Sequence, residues 1–268
     1  MSGFSAEWLK LREPYDLRAR NRTVLDAVFD LIADQPSVVI VDLACGTGST
    51  VRALSPRIKV RQHWRLLDND LSLLARVPSS SPPGINVTAV PIDLSRDLEV
   101  VFDNATDLIT TSALLDLLSQ GWLNRLAVEA AARRLPVYAA LSYDGRVELA
   151  PAELLDRRIV DAVNRHQRTD KGFGPALGPS AAKTAIAAFE RVGYAVTHGL
   201  ADWDFGPADR AIQIEVLSGW AAAAREIGDL PQPEIFDWLK RRCELIAAGR
   251  SSLRVGHVDL LARPTGTR

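Results

Sequence analysis

Cysteine, net charge and long apolar runs are all scarce in this sequence, and each scarcity excludes a class of protein. Only Cys45 and Cys243 are cysteines among 268 residues, which is too few for a disulfide framework. We therefore expect a reducing compartment. The sequence also lacks a CxxC pair and any cluster of His and Cys at metal-ligand spacing, so we expect no metal site.

Charge of the two signs is almost balanced, with 32 Lys and Arg against 33 Asp and Glu. A chain with a net charge of -1 has no basic field to attract nucleic acid, so we expect no nucleic-acid partner. The first 21 residues are dense in charge and lack the apolar core of a signal peptide. No run of 18 apolar residues occurs. We expect a cytoplasmic protein without a membrane partner, as a monomer or homodimer.

Apolar residues make up 47% of the chain, enough for one large α/β domain or one domain with an insertion. Residues 5–34 have helical periodicity interrupted near Pro14, which predicts an N-terminal helical segment over 1–35 and a main domain over 36–268. Strand-like segments then alternate with helical ones, which is typical of a mostly parallel sheet. The strand-like segments of this half are 38–43, 63–70, 85–93, the start of 107–118, and 136–143, the last followed by a turn at Asp144-Gly145.

The second half contains a late helical insertion. A strand over 194–203 precedes two helical stretches, about 208–227 and 233–249, and a closing strand follows over 253–264. We interpret about 207–250 as an insertion that caps a binding site, which favours a closed pocket and hence a small-molecule ligand.

The stretch VVIVDLACGTGSTVRAL, residues 38–54, places a glycine turn directly after a buried strand. Gly46 and Gly48 allow a sharp turn and close approach of a ligand. Asp68 follows Gly48 by 20 residues, at the end of the next strand, where a carboxylate can accept both hydroxyls of a ribose. The pattern predicts a nucleoside site. Val51 stands where a dinucleotide fingerprint has its third glycine, which weakens a nicotinamide interpretation.

This stretch resembles motif I of the class I S-adenosylmethionine-dependent methyltransferases, an apolar strand followed by D/E-x-x-x-G-x-G. The segments WRLLDND, AVPIDLS and DLITTSALLDLL resemble the later motifs, and the resemblance covers about residues 36–143. It implies a Rossmann-like α/β fold, with a doubly wound, mostly parallel sheet of seven strands whose last strand is antiparallel. It also implies S-adenosylmethionine as cofactor.

The resemblance assigns roles to several side chains. Asp68 would hold the ribose, Asn69 and Asp93 would lie beside the adenine, and Leu94 would pack near its ring. Thr111 and Ser112 would flank the methionine part. The glycine turn would contact the cofactor through Asp42, Ala44, Cys45, Gly46, Thr47 and Gly48.

Three N-terminal arginines, Arg12, Arg18 and Arg20, can supply a fork for the cofactor carboxylate, and we favour Arg20. A solvated amphipathic helix explains any one of them equally well. For acceptor binding, Tyr15 can shape the pocket. Asp116 can line the pocket or face solvent.

Methyl transfer needs alignment of two bound molecules, and a base only if the acceptor loses a proton. Tyr143, at the end of the fifth strand, and His166 are the candidate catalytic residues. A histidine such as His166 is more often structural than catalytic. Phe173, in a Gly/Pro-rich loop over 169–180, can cover a bound substrate, or the loop can be a plain surface connection.

We therefore expect a methyltransferase acting on a small molecule. No [DN]-P-P-[YF] follows the fourth strand, which disfavours a nucleobase as acceptor. The alternatives are an NAD(P)-dependent oxidoreductase and a nucleoside-binding module of methyltransferase fold without catalytic activity.

Overall fold

An eight-stranded sheet organises the part of the chain that the computed structural model describes, residues 4–77, 82–102 and 105–266. The remaining residues of the expected segments, 1–3, 78–81, 103–104 and 267–268, lie outside it. The strands are β1 Ser37–Leu43, β2 Arg61–Asp68, β3 Ile85–Pro91, β4 Leu108–Ser112, β5 Val137–Ala150, β6 Tyr194–Leu200, β7 Trp203–Phe205 and β8 Ser252–Pro264.

The strand order is β3-β2-β1-β4-β5-β8-β6, with β7 paired to β8. Strands β1 to β5 are parallel to one another, whereas β8 runs antiparallel to both β5 and β6. This confirms the expected mostly parallel α/β sheet with an antiparallel last strand, although the described sheet has eight strands and not the expected seven. The strand expected over 194–203 is divided in two, because β6 ends at Leu200 and Trp203–Phe205 pairs with another part of β8.

Helices lie between the strands and at the N-terminus. They are α1 Ala6–Ala19, α2 Arg22–Ile32, α3 Ser49–Leu54, α4 Leu71–Leu74, α5 Gln120–Arg133, α6 Asp156–His166, α7 Ala181–Arg191, α8 Arg210–Ile227 and α9 Gln232–Ala247. The last two form the expected insertion, between β7 and β8. Within the described ranges, none of these helices combines the length and apolar character that crossing a membrane requires.

The break in the N-terminal helical segment is at Arg20, and the expected break near Pro14 is wrong. Pro14 lies inside α1, whereas Arg20 is extended, with φ -51° and ψ 131°. Asn21 then begins a new helix, because its side chain accepts a hydrogen bond from the Val24 amide. The N-cap at Asn21, and not Pro14, therefore sets the boundary between α1 and α2.

The expected turn at Asp144-Gly145 is also wrong, because β5 continues through these residues to Ala150. Gly145 has φ +84°, and the register with β8 shifts between Tyr143 and Val147, which is a bulge. Pairing with the long strand β8 overrides the local turn preference. Strands β5 and β8 thus extend past the end of β4 as a two-stranded ribbon.

Three apolar cores result. One lies against α5 and α7, and a second lies against α2 on the opposite face of the sheet. The third core lies beyond the carboxyl edge of the sheet, where α6, α8, α9 and β7 pack on the ribbon. Side chains of α1 also pack against this third core, which places the N-terminal helix over the carboxyl edge.

A buried charge joins α9 to α6 within the third core. The Arg242 side chain is fully buried, and its guanidinium donates to Asp156 (Nε to Oδ1, 3.1 Å) and to the Pro151 carbonyl (2.9 Å). The indole nitrogen of Trp238 donates to the same carboxylate at 2.8 Å. Removing the carboxylate would leave a buried cation without its countercharge, with only the Pro151 carbonyl as a partner in the part of the chain that the structure describes.

We expect Asp156→Ala to lower the free energy of unfolding by about 3–5 kcal/mol, because the Arg242 charge would be uncompensated. Urea unfolding followed by circular dichroism measures it. Asp161→Ala, at an exposed position of the same helix, is the control and should change stability by less than about 0.5 kcal/mol. Equal losses in the two variants would contradict this account of the third core.

Candidate functional site

Four strands bring their carboxyl ends together at the centre of the sheet, in the order β2-β1-β4-β5. Strained backbone marks this edge. Ala44, Ala113 and Leu141 have φ of 52°, 53° and 55°, in the left-handed region that non-glycine residues avoid. They lie at the ends of β1 and β4 and inside β5. Because such strain costs about 1–2 kcal/mol per residue, its concentration at one edge indicates a functional site.

The glycine turn is held by hydrogen bonds to the end of β2. The Cys45 amide donates to the Leu67 carbonyl at 2.9 Å, and the Gly46 amide donates to Asp68 Oδ2 at 2.8 Å. Asp68 Oδ1 accepts the Asp70 amide at 2.9 Å. Each carboxylate oxygen of Asp68 therefore has one protein donor, and each retains a second acceptor position that a hydroxyl group can use.

Asp42 is fully buried at the end of β1. Its Oδ1 accepts a hydrogen bond from the Thr110 hydroxyl at 2.8 Å, whereas its Oδ2 has no partner among the described residues. Burial raises the pKa of Asp42 to about 7, although the Thr110 hydrogen bond, the Arg20 charge and the nearby Thr50 hydroxyl oppose the shift. The side chain is an ionisable group with one free acceptor inside the site.

Arg20 enters the same region from the α1–α2 junction and is 5% exposed. Its guanidinium donates to the Tyr138 hydroxyl at 3.0 Å and to Ser112 Oγ at 3.5 Å. Its Nε–H has no partner within the described part of the chain. The site thus contains an ionisable carboxyl group, Asp42, and a cation, Arg20, each buried and each with a hydrogen-bonding atom unused among the described residues.

Asp259, on β8, anchors this junction. It is fully buried, accepts the Asn21 amide at 3.0 Å and the Leu141 amide at 2.8 Å, and accepts the Tyr138 hydroxyl at 3.3 Å. Burial raises the pKa of this carboxyl, while the two amides and the Arg20 charge favour the ionised form. One carboxylate therefore positions both the helix junction and the strained residue of β5.

Helix α1 lies over the glycine turn. A Cβ at Gly46 would be 3.1 Å from Leu9 Cδ1, so the leucine rests on the turn. Arg52 of α3 pairs with Glu13 of α1 at 2.5 and 2.8 Å and donates to the Thr47 carbonyl at 2.6 Å. Between the two helices remains a cavity of about 40 Å³, lined by Glu13, Asp16, Leu17, Arg20, Ser49, Arg52 and Ala53. That volume is far below the size of a ligand pocket.

The remaining residues expected beside the cofactor differ in exposure. Asn69 is exposed after β2. Asp93 accepts the Ser95 amide and hydroxyl at 3.0 and 2.6 Å, and these bonds lower its pKa. Leu94 is 4% exposed and packs in the first core. Thr111 is buried, and its hydroxyl donates to the Leu43 carbonyl at 3.0 Å.

A second group of buried polar side chains lies at the ends of β4 and β5. Asp116 follows β4 in a short 3-10 helix, Leu115–Leu117, and is 5% exposed. Its Oδ1 has no partner in the described ranges, and the same holds for Ser142 Oγ in β5. Burial raises the pKa of Asp116 to about 6, opposed by its own amide, the Arg12 charge and the Tyr143 amide.

Arg12 of α1 lies in an aromatic and acidic environment. Its guanidinium pairs with Asp16 at 2.9 Å, and its central carbon is 4.9 Å from the Trp203 ring and 5.9 Å from the Trp8 ring. The Trp203 indole nitrogen donates to Asp16 at 2.9 Å. The His257 ring lies tilted against Trp203, with ring centroids 4.7 Å apart. Burial together with the Arg12 charge lowers the pKa of His257 to about 3, so it is neutral.

The two candidate catalytic residues occupy different environments. The Tyr143 hydroxyl donates to Asn164 at 2.8 Å, and its ring lies 6.1 Å from His257, next to Asp116. His166 ends α6, where its Nε2 is 2.8 Å from Glu226 and its Nδ1 is 3.4 Å from Lys171. The structure brings Tyr143 into the buried polar group and pairs His166 with α8.

Tyr15 and Phe173, both expected at the acceptor, also make protein contacts. The Tyr15 hydroxyl donates to Asp209 at 2.9 Å, and its ring lies 5.0 Å from Phe205. Phe173 packs edge-on against Trp122 at 5.6 Å, beside the first core. Neither ring contacts the polar group around Asp116 in this conformation.

Sequence reasoning missed Ser142, Trp203, His257 and Asp259, and it singled out Arg12 only as one of three arginines. Polar residues that interrupt apolar strands offered a signal, since His257 and Asp259 stand inside VGHVDLLA. Polar side chains in a buried strand need partners, and such partners cluster at sites.

No family model and no curated protein matches this chain. Among solved structures, the cyclopropane synthase MmaA2 from Mycobacterium tuberculosis is 12% identical over 97% of this chain and 95% of its own, with a TM-score of 0.51. A cyclopropane-fatty-acyl-phospholipid synthase-like protein from Lactobacillus casei is 16% identical over 93% and 98%, also with a TM-score of 0.51.

The chain shares the fold of these two structures, which is a Rossmann-like α/β fold. The sheet order with its antiparallel β8 and the glycine turn after β1 belong to that fold. Identities this low show the fold alone, so the reaction and its acceptor follow from the residues of the site.

Asp42 predicts a measurable dependence of stability on pH. The folded-state pKa is about 7 against an ordinary 3.8, so the native protein holds a proton that the unfolded chain has released. Between pH 4 and 7 the free energy of unfolding should therefore fall as pH rises, by at most about 1.4 kcal/mol per pH unit from this group. Asp116 contributes with the same sign up to about pH 6.

We expect Asp42→Asn to flatten this decline, measured by urea unfolding at pH 4.5, 5.5, 6.5 and 7.5. Asp34→Asn, the same change at an exposed position, should keep the wild-type slope. A wild-type slope in Asp42→Asn would show that Asp42 is ionised in the folded protein across this range.

Proposed function

We propose that this protein is an S-adenosylmethionine-dependent methyltransferase with a small-molecule acceptor. The observation that carries the proposal is the pair of unused buried atoms, Asp42 Oδ2 and Arg20 Nε, at the edge where this fold has its glycine turn. The amino-acid end of S-adenosylmethionine carries one ammonium and one carboxylate group. A free carboxylate oxygen and a free guanidinium N–H match these two charges.

Other residues of the edge fit the rest of the cofactor. The open acceptor positions of Asp68 suit ribose hydroxyls, and the turn at Gly46 allows close approach of a ligand. Asn69 and Asp93 are at the ends of β2 and β3, where the adenine would lie. The Leu94 side chain is buried in the first core, so it supports that region from beneath.

When bound, S-adenosylmethionine supplies a methyl group activated by a positively charged sulfur. The protein has to hold the donor, hold the acceptor in line and exclude water. Helix α1 serves exclusion, because Leu9 covers the turn and Arg20 extends from the end of the helix into the site. Since the cavity beneath α1 measures only about 40 Å³, loading requires this helix to be displaced.

Calorimetry with S-adenosylhomocysteine tests the proposal. We expect micromolar affinity for the wild-type protein, with a loss of about 10-fold or more in Asp42→Asn and in Arg20→Lys, because each removes one charge-assisted hydrogen bond. Arg20→Lys keeps the positive charge and removes the Nε–H. Asp34→Asn is the control for the first variant and should bind as the wild type does.

NADH is the competing probe in the same experiment. An oxidoreductase predicts NADH binding without a response to S-adenosylhomocysteine, and that result would replace the methyltransferase proposal. Binding of S-adenosylhomocysteine that is equal in all four proteins would show that the buried pair is not the recognition site.

The ion pair that holds α1 over the site should affect how fast the ligand enters. The Glu13–Arg52 pair joins α1 to α3, and a half-exposed ion pair contributes at most about 1 kcal/mol. Glu13→Gln should therefore raise the association rate of S-adenosylhomocysteine, by up to about 5-fold, measured by stopped-flow tryptophan fluorescence. Glu215→Gln, exposed on α8, should leave the rate unchanged. A slower rate in Glu13→Gln would mean that this pair guides the ligand instead of holding the helix closed.

A further inference from the structure

We propose that Asp116, Trp203 and Tyr143 form the acceptor site, that the acceptor is a small amine, and that Arg12 occupies the position of its ammonium group when α1 is closed. The inference rests on the proposed function for its donor molecule. It names a substrate class, which neither the fold nor the glycine turn determines.

The first observation is an unused buried acceptor. Asp116 Oδ1 has no donor in the described part of the chain, although the residue is only 5% exposed. Leaving a buried oxygen unpaired costs about 1–3 kcal/mol. The backbone amide of Tyr143 lowers the pKa of this carboxyl, and Ser142 Oγ, in the same strand as Tyr143, is also unpaired among the described residues. A ligand that donates hydrogen bonds would satisfy these atoms.

The second observation is the cation already present. Arg12 lies over the Trp203 ring at 4.9 Å, within the range of a cation–π interaction, and its charge acts on both Asp116 and His257. The Arg12 side chain is held by Asp16, one turn further along α1. Because a guanidinium occupies this space between indole rings and a carboxylate, the space suits a cationic group.

The third observation is that Arg12 belongs to α1, the helix that covers the glycine turn. When α1 is displaced, Arg12, Asp16 and Trp8 leave together. The residues that remain are the carboxylate of Asp116 in the 3-10 helix after β4, the rings of Tyr143 on β5 and Trp203 on β7, and the neutral His257 on β8. An uncompensated carboxylate beside aromatic faces is a site for a cation.

This chemistry discriminates between acceptors. An ammonium group donates to Asp116 and interacts with the Trp203 ring. A carboxylate acceptor would be repelled by Asp116, and a neutral alcohol would gain no cation–π interaction. For methyl transfer the bound ammonium first loses one proton, which frees the nitrogen lone pair. The amine then forms an N–C bond to the methyl carbon as the C–S bond breaks, and the electron pair of the broken bond stays on sulfur.

Asp116 is the group placed to take that proton. Burial raises the pKa of Asp116 to about 6, so its protonated form is more accessible than that of a surface carboxyl. The transferred proton then neutralises a buried charge. In this scheme Asp116 both holds the amine and accepts its proton.

Three probes of similar shape test the substrate class: benzylamine, benzyl alcohol and benzoate, each measured by saturation-transfer NMR with S-adenosylhomocysteine present. We expect benzylamine to bind at least about 10-fold more tightly than the other two. In Asp116→Asn, benzylamine affinity should fall at least about 10-fold while S-adenosylhomocysteine affinity is unchanged. Asp34→Asn should retain both affinities. Equal binding of all three probes, or an unaffected Asp116→Asn, would overturn the inference.

Replacing Arg12 provides an independent test, measured as a shift in the thermal unfolding temperature. Arg12→Ala removes the guanidinium, so benzylamine should raise the thermal unfolding temperature of this variant more than that of the wild type. The effect should disappear in Arg12→Ala/Asp116→Asn. An Arg12→Ala protein that gains nothing from benzylamine would show that Arg12 fills no ligand position, whether or not the other variant folds.

The two proposals fail in different ways. Loss of the proposed function would appear as absent S-adenosylhomocysteine binding in the calorimeter. Loss of the acceptor inference would appear as intact S-adenosylhomocysteine binding with no preference for benzylamine.

Discussion

The buried carboxylate of Asp259 is the interaction on which the site depends. It receives the Asn21 amide at the start of α2 and the Leu141 amide in the strained part of β5, and through Tyr138 it is linked to Arg20. A buried anion requires such compensation, because an isolated charge in the interior is unstable. The requirement ties the N-terminal helices to the last strand, although 238 residues separate Asn21 from Asp259.

Several features follow from that tie. Arg20 is held at the carboxyl edge with one N–H unused, and Asp42 lies close enough to feel its charge. Helix α1, which ends at this junction, is directed over the glycine turn, so Leu9 reaches Gly46. The same helix carries Arg12 toward the ribbon formed by β5 and β8.

The sheet was predictable because its signals are local. Apolar strands, alternating helices and the glycine turn at Gly46 are each contained in short stretches, and the parallel order follows from their alternation. The errors arose where distant contacts override local preference. The Asp144-Gly145 pair predicts a turn from sequence, but pairing with β8 keeps these residues in a strand. Pro14 predicts a helix break, but the helix continues to the junction where the Asn21 N-cap begins the next one.

The site was predictable only in part, for a related reason. Asp42, Asp68 and the glycine turn belong to one recognisable stretch and its neighbour, whereas Trp203 and His257 meet Arg12 across the fold. No spacing in the sequence relates them. Polar residues inside apolar strands mark such positions, and their partners become identifiable only in three dimensions.

The placement of α1 over two binding regions has a consequence for how ligands bind. If either ligand binds only when α1 is displaced, the first ligand to bind offsets the free energy of opening. The second ligand then binds to a site that α1 no longer covers. Each would increase the affinity of the other by the same factor, because coupling free energies between sites are reciprocal. One helix, held by Leu9 at one site and Arg12 at the other, would thereby make donor and acceptor binding cooperative without any contact between the two molecules.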